Sequence, residues 1–183
     1  MQKLTAVNLI LPVLGEHPVT ALDERHPTLA MILPALDAEL EERLQSGWWF
    51  NEFDTTLYPD PVQEVYLPTD TMAFIPHRGD AIVRGRRLFN PVRGDFKWDG
   101  PVSGRTIVRV PFEELPETVA RVVTYAALIR AYATDIGVES QTEEWFRKLA
   151  EVEGRAEAEH LRHKKYSTAK SPRFGRLRRA MRG

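Results

Sequence analysis

The sequence contains no cysteine. That excludes a disulfide framework, a thiolate metal site and a cysteine nucleophile. It contains no apolar run approaching the roughly 18 residues of a membrane span. Its opening residues, Met1-Gln2-Lys3-Leu4, lack the apolar stretch of a secretion signal. The expectation is a protein made in the cytoplasm, with no membrane partner. A phosphate-cradling loop is missing as well: Gly79, Gly85, Gly94, Gly100 and Gly104 are spread through what reads as a series of hairpin turns, and no helix follows them. Ser46, Ser103, Ser140, Ser167 and Ser171 lack the strand-turn-helix elbow of a serine hydrolase. Acidic residues disappear near the end of the chain. All 26 lie at or before Glu159, whereas nine of the 25 Lys and Arg lie from His160 to Gly183. The body thus carries −10 and the tail +9. Such asymmetry points to a tail that meets something acidic.

What is present is a chain of 183 residues, 43% apolar and 28% charged. It is long enough to bury a core as one domain with a subdomain. Its grammar changes at Gly47-Trp48-Trp49-Phe50-Asn51. Before this motif, apolar residues recur at helical spacing. Leu4 to Leu14 reads as a short helix with Val7, Ile10, Leu11 and Leu14 on one stripe, stopped by Gly15. A second helix begins near Pro27 and carries Leu29, Leu33, Leu36, Leu40 and Leu44 on one face; Pro34 is expected to kink or break it. After the motif, strand-like runs alternate with turns. These runs are Val65–Leu67, Met72–Ile75, Ala81–Val83, Arg87–Phe89, Phe96–Trp98 and, most clearly, Thr106–Val110. Seven of the 13 prolines and five of the 11 glycines fall between Pro59 and Pro111. No helices alternate with the strands, so the sheet is predicted to be antiparallel.

From Pro116 a helix runs to about Ile136, apolar on most sides and therefore central or at a subunit contact. Ser140 and Glu143 form a capping box for a last, highly charged helix that extends to about Tyr166. The fold class read from this pattern is α+β. A helical bundle body (1–47 with 112–166) holds an inserted antiparallel β subdomain (48–111), and a basic C-terminal docking tail (167–183) follows. Trp48, Trp49 and Phe50 are the expected hinge anchor, with at least one tryptophan buried against the helices.

Few groupings suggest chemistry. His160 and His163 beside Glu159 have metal-ligand spacing, but Arg162, Lys164 and Lys165 crowd the same turn, and a solvated helix end is the plainer reading. Glu113, Glu114 and Glu117 around Pro116 suit a helix N-terminus. Two of them could also serve a polysaccharide hydrolase, if they converged in a cleft. Asp54, Asp60 and Asp70 read as loop acids. The tail mixes bases and aromatics. Arg173, Phe174, Arg176, Leu177, Arg178, Arg179 and Met181 suit either a nucleic-acid-binding module or docking on an acidic protein surface. Phe174, Leu177 and Met181, at i, i+3 and i+7, would form the apolar stripe of a short helix. No catalytic, cofactor or metal site is expected.

The order of several stretches resembles the tail tubular protein A family of short-tailed bacteriophages, the head-to-tail adaptors beneath the portal. These stretches are Leu4 to Leu11 with Gly15-Glu16-His17-Pro18-Val19 and Leu22; Leu44 to Asn51; Leu67-Pro68-Thr69-Asp70; Arg84 to Asn90; and Phe112 to Glu117. The resemblance covers about Leu4 to Glu159 and leaves the basic tail outside it. It implies a non-enzymatic structural protein of the virion, located in the connector region of the tail. It implies a homo-oligomeric ring, a dodecamer, with the portal protein above and a nozzle of tail tubular protein B type below; a tail fibre is a further candidate neighbour. It also implies that double-stranded DNA passes through the lumen during ejection without sequence-specific binding.

Overall fold

The computed structural model describes residues 1–22, 26–135, 137 and 140–164, with Ser140 and Gln141 by backbone alone. Helix α1 (Lys3–Ile10) buries Ala6, Val7 and Ile10. The chain then tightens into a 3-10 turn over Leu11–Leu14. Pro12 explains the change, because its missing N–H is harmless only in a first turn. Gly15, at φ 78°, ends the turn. The single helix expected from Leu4 to Leu14 is thus two pieces.

Helix α2 (Leu29–Leu44) runs unbroken through Pro34. The proline sits in its second turn on the exposed side, so the helix loses one backbone bond and no buried packing. Its inner face is Leu29, Ile32, Leu36, Leu40 and Leu44; Ile32 takes the place that the periodicity assigned to Leu33. Helix α3 (Glu117–Asp135) is central and touches the other three helices. Val119, Val122, Val123 and Ala127 on it are buried, which accounts for its sparse polar surface. The buried Thr124 hydroxyl donates to the Ala120 carbonyl (2.7 Å), so no polar group is stranded. Helix α4 (Ser140–His163) packs on α3, with Trp145 edge-on to Tyr132 at 4.6 Å. The capping side chain of Ser140 lies outside the described residues, as do Lys165 to Gly183.

Between α2 and α3 the chain forms strands, turns and one short 3-10 helix, Phe112–Glu114. The strands are β1 (Glu52–Leu57), β2 (Thr71–Pro76), β3 (Ile82–Arg84), β4 (Arg87–Phe89) and β5 (Val102–Val108). β1, β5 and β2 make a three-stranded antiparallel sheet in that order, and β3 and β4 make a separate hairpin. The fold is α+β. Its two apolar cores follow the two kinds of structure: one lies among the helices, the other gathers Leu57, Val65, Leu67, Phe74, Leu88 and Val102 beneath the strands.

Three expectations change here. Val65–Leu67 and Phe96–Trp98 are not strands; each contributes single bridges, Tyr66 to Arg87 and Lys97 to Glu64. The last strand starts four residues early, at Val102, and stops at Val108. Gly104 lies inside this strand and is not a turn residue. A Cβ there would come 2.5 Å from the Phe74 ring and 2.6 Å from the Ile75 carbonyl oxygen. Close approach of a neighbouring strand explains the glycine.

Candidate functional site

The joint between helices and strands is where the sequence motif lies. Helix α2 ends at Leu44, and the turn after it closes at Gly47, whose φ of 73° is left-handed. Its N–H bonds to the Leu44 carbonyl (3.2 Å). A Cβ there would also meet the end of the Glu52 side chain, Oε2 at 2.6 Å, but it is the left-handed backbone that favours glycine. The next residues turn tightly, with Glu52 N–H donating to the Trp48 carbonyl (3.0 Å).

Asn51 holds this turn and is fully buried. Its Oδ1 accepts from the Trp48 N–H (2.7 Å), while its Nδ2 donates to the carbonyls of Leu44 (3.1 Å) and Val108 (2.9 Å). Its backbone carbonyl accepts from the Val108 N–H (2.9 Å). One side chain thereby ties together the end of α2, the start of β1 and the end of β5. It also gives the helix-end carbonyl of Leu44 a second donor beside the Gly47 N–H. Trp48 Nε1 donates to the Arg43 carbonyl as well (2.8 Å).

The expected anchor residues lie around this latch, but in a different role. Trp48, Trp49 and Phe50 are all half-buried, and all three pack against the helical core. Neither tryptophan is fully buried, which corrects that expectation; the fully buried residue of the motif is Asn51. Asn51 was legible in principle, because an Asn after a helix-ending glycine can bond local backbone groups.

The aromatic rings instead clasp the end of α4. His163 stacks flat on Trp49 (5.0 Å between centroids, 1° between planes), and His160 meets the edge of Trp48 at 5.6 Å. The reading of these histidines as a solvated helix end holds for His163, which is exposed while its ring stacks on Trp49, and changes for His160, which is half-buried against the hinge. Burial, then the charge of Lys164, holds the His160 pKa below its ordinary value, which favours the neutral ring. Lys164 itself reaches Glu52 at the base of β1 (2.8 Å), and Arg105 of β5 approaches the other Glu52 oxygen (2.9 Å).

These ion pairs make a pH prediction. Burial alone would raise the Glu52 pKa, but Lys164 and Arg105 outweigh it and hold it below 4.5. A depressed carboxylate stabilises the fold above its unfolded pKa, and that contribution fades as pH falls through the folded value. The stability difference between the native chain and Glu52→Gln is therefore expected to be full at pH 7 and to shrink below about pH 4.5. Urea unfolding of both proteins at pH 7 and pH 3 reads it. An unchanged difference would mean that the ion pairs contribute nothing.

The other acids are dispersed. Glu113 and Glu114 are exposed in the turn before α3. Glu117 pairs with Arg121 and with the N-terminal amine, which hold its pKa below the ordinary value. An acid catalyst needs the opposite shift. Asp54 meets His77 (3.0 Å), and Asp60 accepts from the N–H groups of Val62 and Glu64. A groove of about 600 Å³ between α1, α3 and α4 contains the single carboxylate Glu117. Among the described residues no cluster of three His, Asp or Glu could hold a metal ion. No described helix is long and apolar enough to cross a membrane. Arg173, Phe174, Arg176, Leu177, Arg178, Arg179 and Met181 lie outside the described residues.

A family profile described as tail tubular protein matches residues 4–166. The chain is 28% identical to a protein named tail tubular protein A from Klebsiella phage KP34, over 182 residues that cover 98% of each. The match takes in all four helices, the five strands and the latch. The chain belongs to the tail tubular protein family, and so is a structural component of a bacteriophage tail, built into the virion with other tail proteins.

Proposed function

We propose that this chain is a head-to-tail adaptor: a ring of twelve copies between the portal and the tail nozzle, through which DNA leaves the head. The observation that carries the proposal is the segregation of charge. The helical segments 1–47 and 112–164 hold 18 acidic residues against ten Lys and Arg, a net −8. The strand-forming segment 48–111 holds eight of each and is neutral. Residues 165–183 hold seven Lys and Arg and no acid. An acidic helical wall repels a phosphate backbone and lets a duplex slide. A joint whose buried latch is fully hydrogen-bonded suits a part that transmits position and performs no chemistry.

The basic tail, 167–183, then docks on the portal or on a neighbouring subunit. Lys164, the last described residue, is fixed to the hinge by Glu52, so the tail departs from the joint itself. Arg173, Arg176, Arg178 and Arg179 would meet carboxylates, where Arg can pair bidentately. Phe174, Leu177 and Met181 would enter a groove.

A size measurement of the purified chain, alone and mixed with its portal, tests both statements. The expected species is twelve times 21.0 kDa, and it binds the portal. Deleting 167–183 is expected to weaken portal binding and leave the melting temperature unchanged. Equal affinity after the deletion would remove the docking role. Salt-sensitive retention of any DNA by the tail would point to a nucleic-acid module instead.

A further inference from the structure

Two exposed faces of this chain are complementary to each other. The first is the outer face of the β3–β4 hairpin. Ile82 pairs with Phe89, and Arg84 with Arg87, so these four share one face. Tyr66, bridged to Arg87, joins them. The Arg84 guanidinium lies 3.6 Å from the Phe89 ring centre, and Arg87 lies 4.2 Å from that of Phe96. Arg87 also reaches Glu64 (3.0 Å). Arg84 has no acidic partner among the described residues. Stacking fixes its plane and leaves its N–H edge for a carboxylate from outside. Ile82 and Tyr66 are 44% and 49% exposed. Aromatics, Arg and an exposed aliphatic on one face is the composition of an interface core.

The second face is a flank of α4. Glu143, Phe146, Ala150, Gly154, Glu157 and Leu161 are all exposed. At 100° per residue they fall in one stripe about 80° wide. Phe146 and Leu161 are 53% and 51% exposed. Glu143 and Glu157 form no ion pair among the described residues. Gly154 lies in the middle of the helix, and a Cβ there would meet nothing in this chain. The stripe is apolar and acidic where the hairpin face is apolar and basic, and it belongs to the acidic helical part.

We infer that the hairpin face of one copy docks on the α4 flank of the next, with Arg84 directed to Glu157 or Glu143 and Ile82 seated over Gly154 between Phe146 and Leu161. Two different faces on one chain make a head-to-tail contact, which closes into a ring when the rotation closes. The inference rests on the ring reading above and names its interface.

The experiment uses the full chain. Arg84→Glu and Glu157→Arg, each alone, are expected to weaken assembly at least tenfold in sedimentation, and the two together to restore most of it. Gly154→Gln has room in the single chain, so it keeps the native helix signal and is expected to lose assembly. Because the chain has no cysteine, Ile82→Cys with Gly154→Cys joined by a flexible bis-maleimide should give a covalent ladder up to the ring. Rings that form at native affinity with Arg84→Glu and with Gly154→Gln, and give no ladder, would overturn the interface and leave the ring reading standing. A native chain that stays monomeric, alone and with its portal, would overturn both.

Discussion

Replacing Asn51 by alanine is expected to lower stability by roughly 3–5 kcal/mol, because it leaves the buried Trp48 N–H without its acceptor and takes a donor from each of the Leu44 and Val108 carbonyls. Asn51 is fully buried, so water does not replace the bonds freely. Each stranded buried group costs about 1–3 kcal/mol, and the cavity adds a smaller amount. For a chain of this size the melting temperature should fall by about 10 °C or more. Asn51→Asp is the sharper variant. It keeps the acceptor for the Trp48 N–H but sets a carboxylate against two carbonyl oxygens. Above its pKa it should be less stable than alanine, since a buried charge without a counter-ion is costlier than a missing side chain. Protonation would restore one donor, so its stability should recover toward acid pH. Thermal melts of the three proteins at pH 7 and pH 5 read these effects. A loss below 1 kcal/mol for Asn51→Ala would show that the latch is not what holds the joint.

Gly104→Ala is expected to cost about 3 kcal/mol or more, at the upper end of what overpacking does. The added methyl carbon would stand 2.5 Å from Phe74 Cζ and 2.6 Å from the Ile75 carbonyl oxygen. The ring could turn aside only into a packed core, and the carbonyl belongs to a strand in register with this one, Ile75 opposite Arg105 and Pro76 opposite Gly104. Relief therefore requires β2 and β5 to separate. The same substitution at Gly154 serves as control. It meets open space in an exposed helix interior, where Ala in place of Gly is worth about 0.5–1 kcal/mol of added stability. Opposite signs for one chemical change, measured by denaturant unfolding, test the close approach directly. A Gly104→Ala protein as stable as the native one would mean that the two strands are further apart than described.

The contrast between these glycines also shows what could be read from the sequence. Periodicity located α2 and α3, because a buried stripe every three or four residues is written locally. Gly47 marked the change to strands for the same reason. Gly104 was placed in a turn because nothing near it in sequence reports Phe74, thirty residues earlier, lying against it. Val65–Leu67 and Phe96–Trp98 carry strand-type residues, yet each makes a single bridge, Tyr66 to Arg87 at the start of β4 and Lys97 to Glu64 in a loop. Whether a run pairs once or six times depends on what the fold brings beside it. His160 and His163 looked solvated among Lys and Arg. Their partners Trp48 and Trp49 are more than a hundred residues away, so the stacking was invisible. At the joint, the aromatics drew attention through size, while the fully buried role fell to the smaller polar residue beside them. The α4 flank and the hairpin face went unread because their significance lies in being left uncovered.

The neighbouring positions of β1 and β5 have a mechanical consequence. Glu52 lies opposite Ile107, so the strand unit leaves and rejoins the helices through two adjacent backbones. A pull that separates the unit from the helices loads both backbones together at one end, with Asn51, Glu52–Lys164 and Arg109–Glu41 bridging the same plane. The load is shared among these links and is not applied to one bond at a time, so the joint gives way as a whole or holds. A structural part of a virion that bears load benefits from a coupling with this behaviour. Length added between Leu57 and Val102 would alter the arm and leave the load path unchanged.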